Sequence, residues 1–256
     1  MAIKIKNPDQ IEKMYAAGQI VRETLDRLGE IITPGITTKE LDEEAKNVCK
    51  QHDAVCLFYK FPGMGGPFPG NICASINEEV VHGIPSKSRI VSDGDIVSVD
   101  FGVLKDGWCG DAARTFCVGN VEPENVRLVE VTRKSLELAI ELMPISRTWS
   151  QVAYKMQEFI RGEGFSVVED FVGHGIGQSM HEDPQVPNFV THSLKLRDIK
   201  FRPGMVLAVE PMVNMGVPAC RILPDGWTVV TADRKPSAHW EHTIAIVENG
   251  IRVLTA

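Results

Sequence analysis

A phrase that occurs twice constrains this 256-residue chain more than any other feature. His82-Gly83-Ile84 precedes Gly94-Asp95-Ile96-Val97-Ser98-Val99-Asp100, and His174-Gly175-Ile176 precedes Gly204-Met205-Val206-Leu207-Ala208-Val209-Glu210. A constant offset of 110 residues lays Gly94 on Gly204, Ile96 on Val206, Val99 on Val209 and Asp100 on Glu210. Each copy is an apolar strand pattern ending in an acid, where an unpaired charge is costly to bury. Two related halves packed face to face bring those acids together, and converging carboxylates with histidine nearby are how proteins hold hard divalent metals. Within the phrase, His82 and His174 read as repeat-mates.

A chain this long with 43% hydrophobic residues can bury one large core, or two intimately joined halves, roughly 1–120 and 121–256. The formal charge of −7 argues against a nucleic-acid-binding surface. No basic, apolar leader opens the chain and no apolar run approaches the roughly 20 residues that span a bilayer, so a cytoplasmic protein without membrane contact is expected. Six cysteines (Cys49, Cys56, Cys73, Cys109, Cys117, Cys220) lie scattered without C-x-x-C pairs, and most of them read as reduced, buried thiols.

Asn7-Pro8-Asp9 supplies helix-start chemistry for an apolar stripe of Ile11, Met14, Val21, Leu25 and Leu28, with Gly29 as the expected stop. Thr37 and Glu40 make a capping box before a second helix carrying Leu41, Ala45 and Val48. The stretch from Phe61 to Gly70, dense in Pro and Gly, cannot be regular structure, and its aromatics point to a lid or pocket wall. Two further helices are predicted, one from Glu124 to Met143 ended by Pro144 and one from a Ser150 cap to about Gly162. Two helices then strands, twice over, implies a duplicated α+β arrangement with helices on one side of an antiparallel sheet.

Asp95 to Val103 reads as a strand, Leu104-Lys105-Asp106-Gly107 as a turn, and Trp108 to Val118 as the returning partner. Centring the loop on Lys105-Asp106 or on Asp106-Gly107 shifts the register by two, so either way Asp100 and Asp111 share a face. Glu210 ends a second apolar strand and Glu241 opens another, Glu241-His242-Thr243-Ile244-Ala245-Ile246-Val247. Without cations a buried carboxylate pair would force at least one acid to stay protonated, whereas divalent ions let several ionise together. His174, among glycines that permit close backbone approach, completes the cluster.

These residues resemble the methionine aminopeptidases, specifically the type I form, over almost the whole chain. The resemblance rests on Val99-Asp100-Phe101-Gly102, Gly110-Asp111, Gly173-His174-Gly175-Ile176-Gly177, Val209-Glu210-Pro211 and Trp240-Glu241-His242-Thr243. It implies an α/β pita-bread fold with a pseudo-twofold axis, and two divalent ions (Mn, Fe, Co or Zn) held between the halves by Asp100, Asp111, His174, Glu210 and Glu241. It further implies that Asp111 and Glu241 bridge the ions, Asp100 completes one side and His174 with Glu210 the other, and that Glu210 also shuttles a proton. His82 and His181 match family histidines that contact the substrate amide nitrogen and stabilise the tetrahedral oxyanion. The implied activity is removal of the N-terminal methionine from nascent chains, favouring a small second residue, by a monomer in transient association with the ribosome. The interval from Glu210 to Glu241 leaves no room for the helical insertion that marks type II, and no Cys/His-rich extension precedes the first helix.

For the methionine pocket, Cys73, Trp227 and Tyr59, with Phe68 and Met180, are candidates as apolar or sulfur-bearing side chains. Two alternatives stand beside this reading. Proline-specific aminopeptidases and dipeptidases share fold and ligands but carry a large additional domain ahead of them. Some proteins of this fold lack metals and act as binding modules, which the intact ligand set argues against.

Overall fold

A computed structural model describes residues 3–256 of the chain. Helix α1 (Pro8–Ile31) begins at the Asn7 side chain, which accepts from the Gln10 N–H at 2.9 Å while the Gln10 side chain accepts from the Asn7 N–H. It runs past the expected stop at Gly29. A Cβ there would lie 2.8 Å from a ring carbon of Phe116, so this glycine serves close helix–strand packing rather than termination. Helix α2 (Thr38–Gln51) starts at the predicted Thr37–Glu40 capping box. Helices α3 (Pro123–Leu142) and α4 (Trp149–Gly162) follow. The cap of α4 is Thr148, whose N–H donates to Gln151, and not Ser150. Ser150 lies inside the first turn, its N–H and hydroxyl both taken by the Asp198 carboxylate.

The strands Ile96–Lys105 and Trp108–Cys117 pair along their whole length, with Lys105 opposite Trp108. The turn is therefore Asp106-Gly107, and both residues take the positive φ (49° and 79°) that a tight hairpin of this twist requires. Cys73–Ile76 pairs on the other edge of Ile96–Lys105. The second copy repeats this frame: Val206–Val209 lies between His242–Val247 and Gly173–Gly175, with Gly250–Val253 and Glu182–Val186 outermost. The 110-residue offset extends to individual hydrogen bonds. Gly94 N–H donates to Val118 O at 2.9 Å and Val118 N–H to Asp95 O at 2.9 Å; Gly204 N–H donates to Ile246 O and Ile246 N–H to Met205 O, both at 2.8 Å. The histidines do not follow the offset. His174 pairs with Ala208, the repeat-mate of Ser98, and Ser98 pairs with Ser75, so Ser75 is the counterpart of His174. His82 lies instead beyond the Glu79–Val81 strand, at φ 61°.

Strand alternation sorts the side chains into two layers. Val97, Val99, Phe101 and Val103 point outward into a core with Val21, Leu25, Leu28 and Leu41 of α1 and α2. Leu207, Val209 and Ile244 likewise face Leu136, Trp149 and Met156 of α3 and α4. The even-numbered partners, Asp100 and Glu210 among them, therefore face inward. There the two sheets are sewn together along Asp111–Thr115 and His239–Thr243. Glu241 N–H donates to Ala113 O at 2.9 Å; the Thr243 hydroxyl donates to Asp111 O at 2.7 Å and accepts from Asp111 N–H at 3.1 Å. The Thr115 hydroxyl does the same for His239, donating to its O at 2.8 Å and accepting from its N–H at 2.9 Å. Two threonine hydroxyls thus stand in for missing ladder bonds beside the acids. Among the described residues no helix is long and apolar enough to cross a membrane.

Candidate metal centre and substrate cavity

Register places Asp111 opposite Gly102 and Asp100 opposite Ala113, so the two acids are diagonal neighbours on the inward face. Glu241 reaches the same place across the seam, and Glu210 arrives from the end of Val206–Val209. Asp111 and Glu241 are buried, while Asp100 and Glu210 keep one edge on a deep cavity. Burial raises all four carboxyls: Asp111 is pushed up to about 7, and Asp100, Glu210 and Glu241, where repulsion from the neighbouring acids adds to burial, lie well above the usual carboxylate range. Each keeps a buried oxygen without a hydrogen-bond partner: Asp100 Oδ1, Asp111 Oδ1, Glu210 Oε1 and Glu241 Oε1. Four converging acceptors with no donor among them suit divalent cations and little else.

His174 is prepared for the same cluster. Its Nδ1–H donates to the Gly175 carbonyl at 2.9 Å, which leaves Nε2 bare and 3.5 Å from Glu210 Oε1. Burial pushes the imidazole down to about 4, so at neutral pH it is uncharged and its contact with Glu210 is not an ion pair. Asp111, His174 and Glu241 bring ligand atoms to within 4.8 Å of one another. The flanking glycines are required sterically: a Cβ at Gly173 would come 2.3 Å from Ala208 O, and one at Gly175 2.2 Å from Asp183 O.

Above the acids the cavity has a volume of about 250 Å³. Phe58, Phe61, Phe68, Cys73, Met180 and Trp227 wall one end, and His82, His181, His239 and Phe171 line the remainder. The ring of His181 meets His174 edge-on at 4.4 Å and Phe61 at 5.4 Å, while His82 lies 5.7 Å from Phe171 and 6.1 Å from Trp227. Burial holds His82 down to about 4 and lowers His181, so both imidazoles are neutral donors or acceptors. Trp227 is seated by the loop read as a pocket wall: its indole N–H donates to Gly66 O at 3.2 Å, and a Cβ at Gly63 would fall 2.3 Å from the ring.

A family model described as metallopeptidase family M24 matches residues 12–248. A methionine aminopeptidase of Clostridium acetobutylicum is 46% identical over 253 residues, 99% of this chain and 98% of that protein. The crystal structure of the methionine aminopeptidase from Thermotoga maritima superposes with a TM-score of 0.93 at 41% identity, covering 99% of both chains. The chain belongs to the methionine aminopeptidases of metallopeptidase family M24. A prolidase from Pyrococcus furiosus, at 21% identity and TM-score 0.75, shares the fold over 98% of this chain but only 65% of its own. Divalent metal is the family's cofactor, and the orphaned carboxylate oxygens of this M24 peptidase fit it.

Of the sequence-derived site residues, Asp100, Asp111, His174, Glu210, Glu241, His82, His181, Cys73, Trp227, Phe68 and Met180 all line the one cavity. Tyr59 does not. It is 52% exposed on the outer surface beside Lys60, because the chain turns outward between Phe58 and Phe61 and carries only those two rings inward. His239 was missed. It is buried, its Nε2 has no partner, and burial with His82 nearby drives it down to about 3. Its spacing of two from Glu241 is the signal that could have found it.

Proposed function

We propose that this chain removes the N-terminal methionine from nascent proteins and peptides, hydrolysing the first peptide bond and favouring a small second residue. The observation that carries this is one enclosed space joining a carboxylate–histidine cluster to a wall of aromatic and sulfur-bearing side chains. An unbranched thioether suits such a wall, since sulfur packs well against ring edges. Asp100, Asp111, His174, Glu210 and Glu241 would hold two divalent ions (Mn, Fe, Co or Zn). When bound, such ions polarise the scissile carbonyl and make water acidic enough to attack at neutral pH. Glu210 takes the proton from the attacking water at Oε1 and returns it to the departing amine. His82 and His181, neutral and on the cavity wall, accept from the substrate amide N–H and donate to the oxygen that gains charge as the carbonyl becomes tetrahedral. Cys73, Phe68, Met180 and Trp227 close around the methionine side chain and exclude water from it.

We assign all of residues 1–256 to a single catalytic domain of two pseudo-symmetric halves, roughly 1–120 and 121–256. We also assign it to the cytoplasm as a monomer in transient contact with the ribosome, where nascent N-termini emerge. The test is direct. Protein loaded with Mn²⁺, Fe²⁺ or Co²⁺ should release methionine from Met-Ala-Ser and not from Met-Lys peptides; cleavage confined to Xaa-Pro peptides would sink the assignment.

A further inference from the structure

Cys49 sits in the last turn of α2, and Cys56 lies seven residues on, in a short strand (Val55–Cys56) that pairs with Val103 and Leu104. Between them the chain reverses: Ala54 N–H donates to Cys49 O at 2.9 Å and Asp53 takes φ 49°. The reversal lays the Cys49 thiol within hydrogen-bonding reach of the Cys56 sulfur. Both thiols line an outer hollow of about 390 Å³ whose rim carries Lys46, Lys50, Asp53 and Tyr59. No residue of this hollow lines the catalytic cavity. Both cysteines are free.

The two sulfurs are unequal. The hydrogen bond from Cys49 and the charge of Lys46 favour the Cys56 thiolate, against burial and the charge of Asp42, and the Cys56 thiol is lowered on balance. Donating that bond, together with burial, raises Cys49. One attacking sulfur and one held in reserve beside it is the arrangement that thiol–disulfide exchange needs. Two lysines against the one aspartate leave the mouth net positive, which favours a reagent that carries carboxylates.

We propose that Cys49 and Cys56 form a thiol–disulfide exchange site whose substrate is a small, carboxylate-bearing disulfide. The Cys56 thiolate attacks one sulfur of the reagent, forming a mixed disulfide and expelling the first half as a thiolate. Cys49 then gives its proton to solvent and attacks the Cys56 sulfur, breaking the mixed bond and expelling the second half. Two protein thiols are oxidised to one disulfide and one small disulfide is reduced to two thiols, so electrons and atoms balance. The product ties the end of α2 to the segment that leads directly into Phe58, a wall of the catalytic cavity.

Oxidised glutathione is the probe. Metal-loaded protein is incubated with it, quenched with acid, alkylated under denaturing conditions and digested with trypsin. The expected product joins the peptide 47–50 to the peptide 51–60, two hydrogens lighter than the pair, with no glutathione retained. Cys49→Ser should stop at one glutathione on Cys56, and Cys56→Ser should leave Cys49 unmodified. Should either variant misfold, the wild-type peptide map alone decides. Glutathione persisting on Cys56 of the wild type, or reaction confined to the more exposed Cys117 and Cys220, overturns the proposal.

Discussion

Replacing Thr243 by valine tests how the two sheets are held together at the acids. Valine keeps the shape of threonine and removes only the hydroxyl, which here both donates to Asp111 O and accepts from Asp111 N–H. The position is fully buried, so the two backbone groups of Asp111 lose their partner with no ready access to water. At about 1–3 kcal/mol for each unsatisfied buried group, the expected loss for the two is about 2–6 kcal/mol. For a chain of this size that lowers the melting temperature by roughly 4–24 °C. The assay is urea unfolding and calorimetry of metal-free protein, with Thr243→Ser as the control that restores the hydroxyl. Because the same bonds fix the strand bearing Asp111, Thr243→Val should also weaken Mn²⁺ binding by about 10- to 100-fold in a calorimetric titration. A Thr243→Val protein within about half a kcal/mol of wild type and with unchanged metal affinity would refute the idea that this hydroxyl carries the seam.

Glu210→Gln should lower kcat by at least about a hundredfold without changing the far-UV spectrum, since it removes the base at Oε1 while keeping its size; full activity in this variant would remove Glu210 from the proposed chemistry. In the metal-free protein the Asp111 carboxyl should cost stability as pH rises from about 4 to 7, while the buried histidines His82, His174 and His239 work in the opposite direction, so the effect is read as a difference from Asp111→Asn. Asp111, raised to about 7 by burial, keeps its proton when folded but releases it near 4 when unfolded, so across that window its folded form binds more protons and each step up in pH favours unfolding, by a few kcal/mol altogether. Denaturant midpoints of wild type and Asp111→Asn measured in EDTA at several pH values check this; a wild type that does not fall relative to Asp111→Asn as pH rises contradicts it. Lys6→Met should cost about 2 kcal/mol or more, because it strips a buried partner at 2.8 Å from Glu182, next to His181, and leaves only the exposed Lys4. Adding Glu182→Gln should recover most of that loss in the same urea titration.

How legible the chain was depended on whether a signal was local or relational. Alternation and a hairpin by themselves decide that Asp100 and Asp111 share a face, because a two-residue shift of register cannot move a side chain to the other side. The capping box at Thr37 was equally local. Gly29 was misread since only the approach of Phe116, 87 residues away in sequence, explains it. The Thr148 cap was misplaced by two because Ser150 bonds to Asp198, a long-range partner that imitates a cap. The histidine pairing failed for a different reason: sequence likeness between His82 and His174 is not strand register, and the register aligns His174 with Ser75. Tyr59 and His239 show the same limit, since which rings in a turn point inward is settled by packing.

The seam between the sheets has a kinetic consequence. Asp100 and Asp111 come from one sheet and His174, Glu210 and Glu241 from around the other, so neither holds the full set of donors. Such a centre has no local precursor: partial fraying elsewhere leaves it intact, and only separation of the sheets releases the ions. An ion at a hundred times its dissociation constant adds about 2.7 kcal/mol against that separation. Starvation for metal would then shorten the life of the folded chain as well as silence it, and proteolysis would remove preferentially the copies that cannot work.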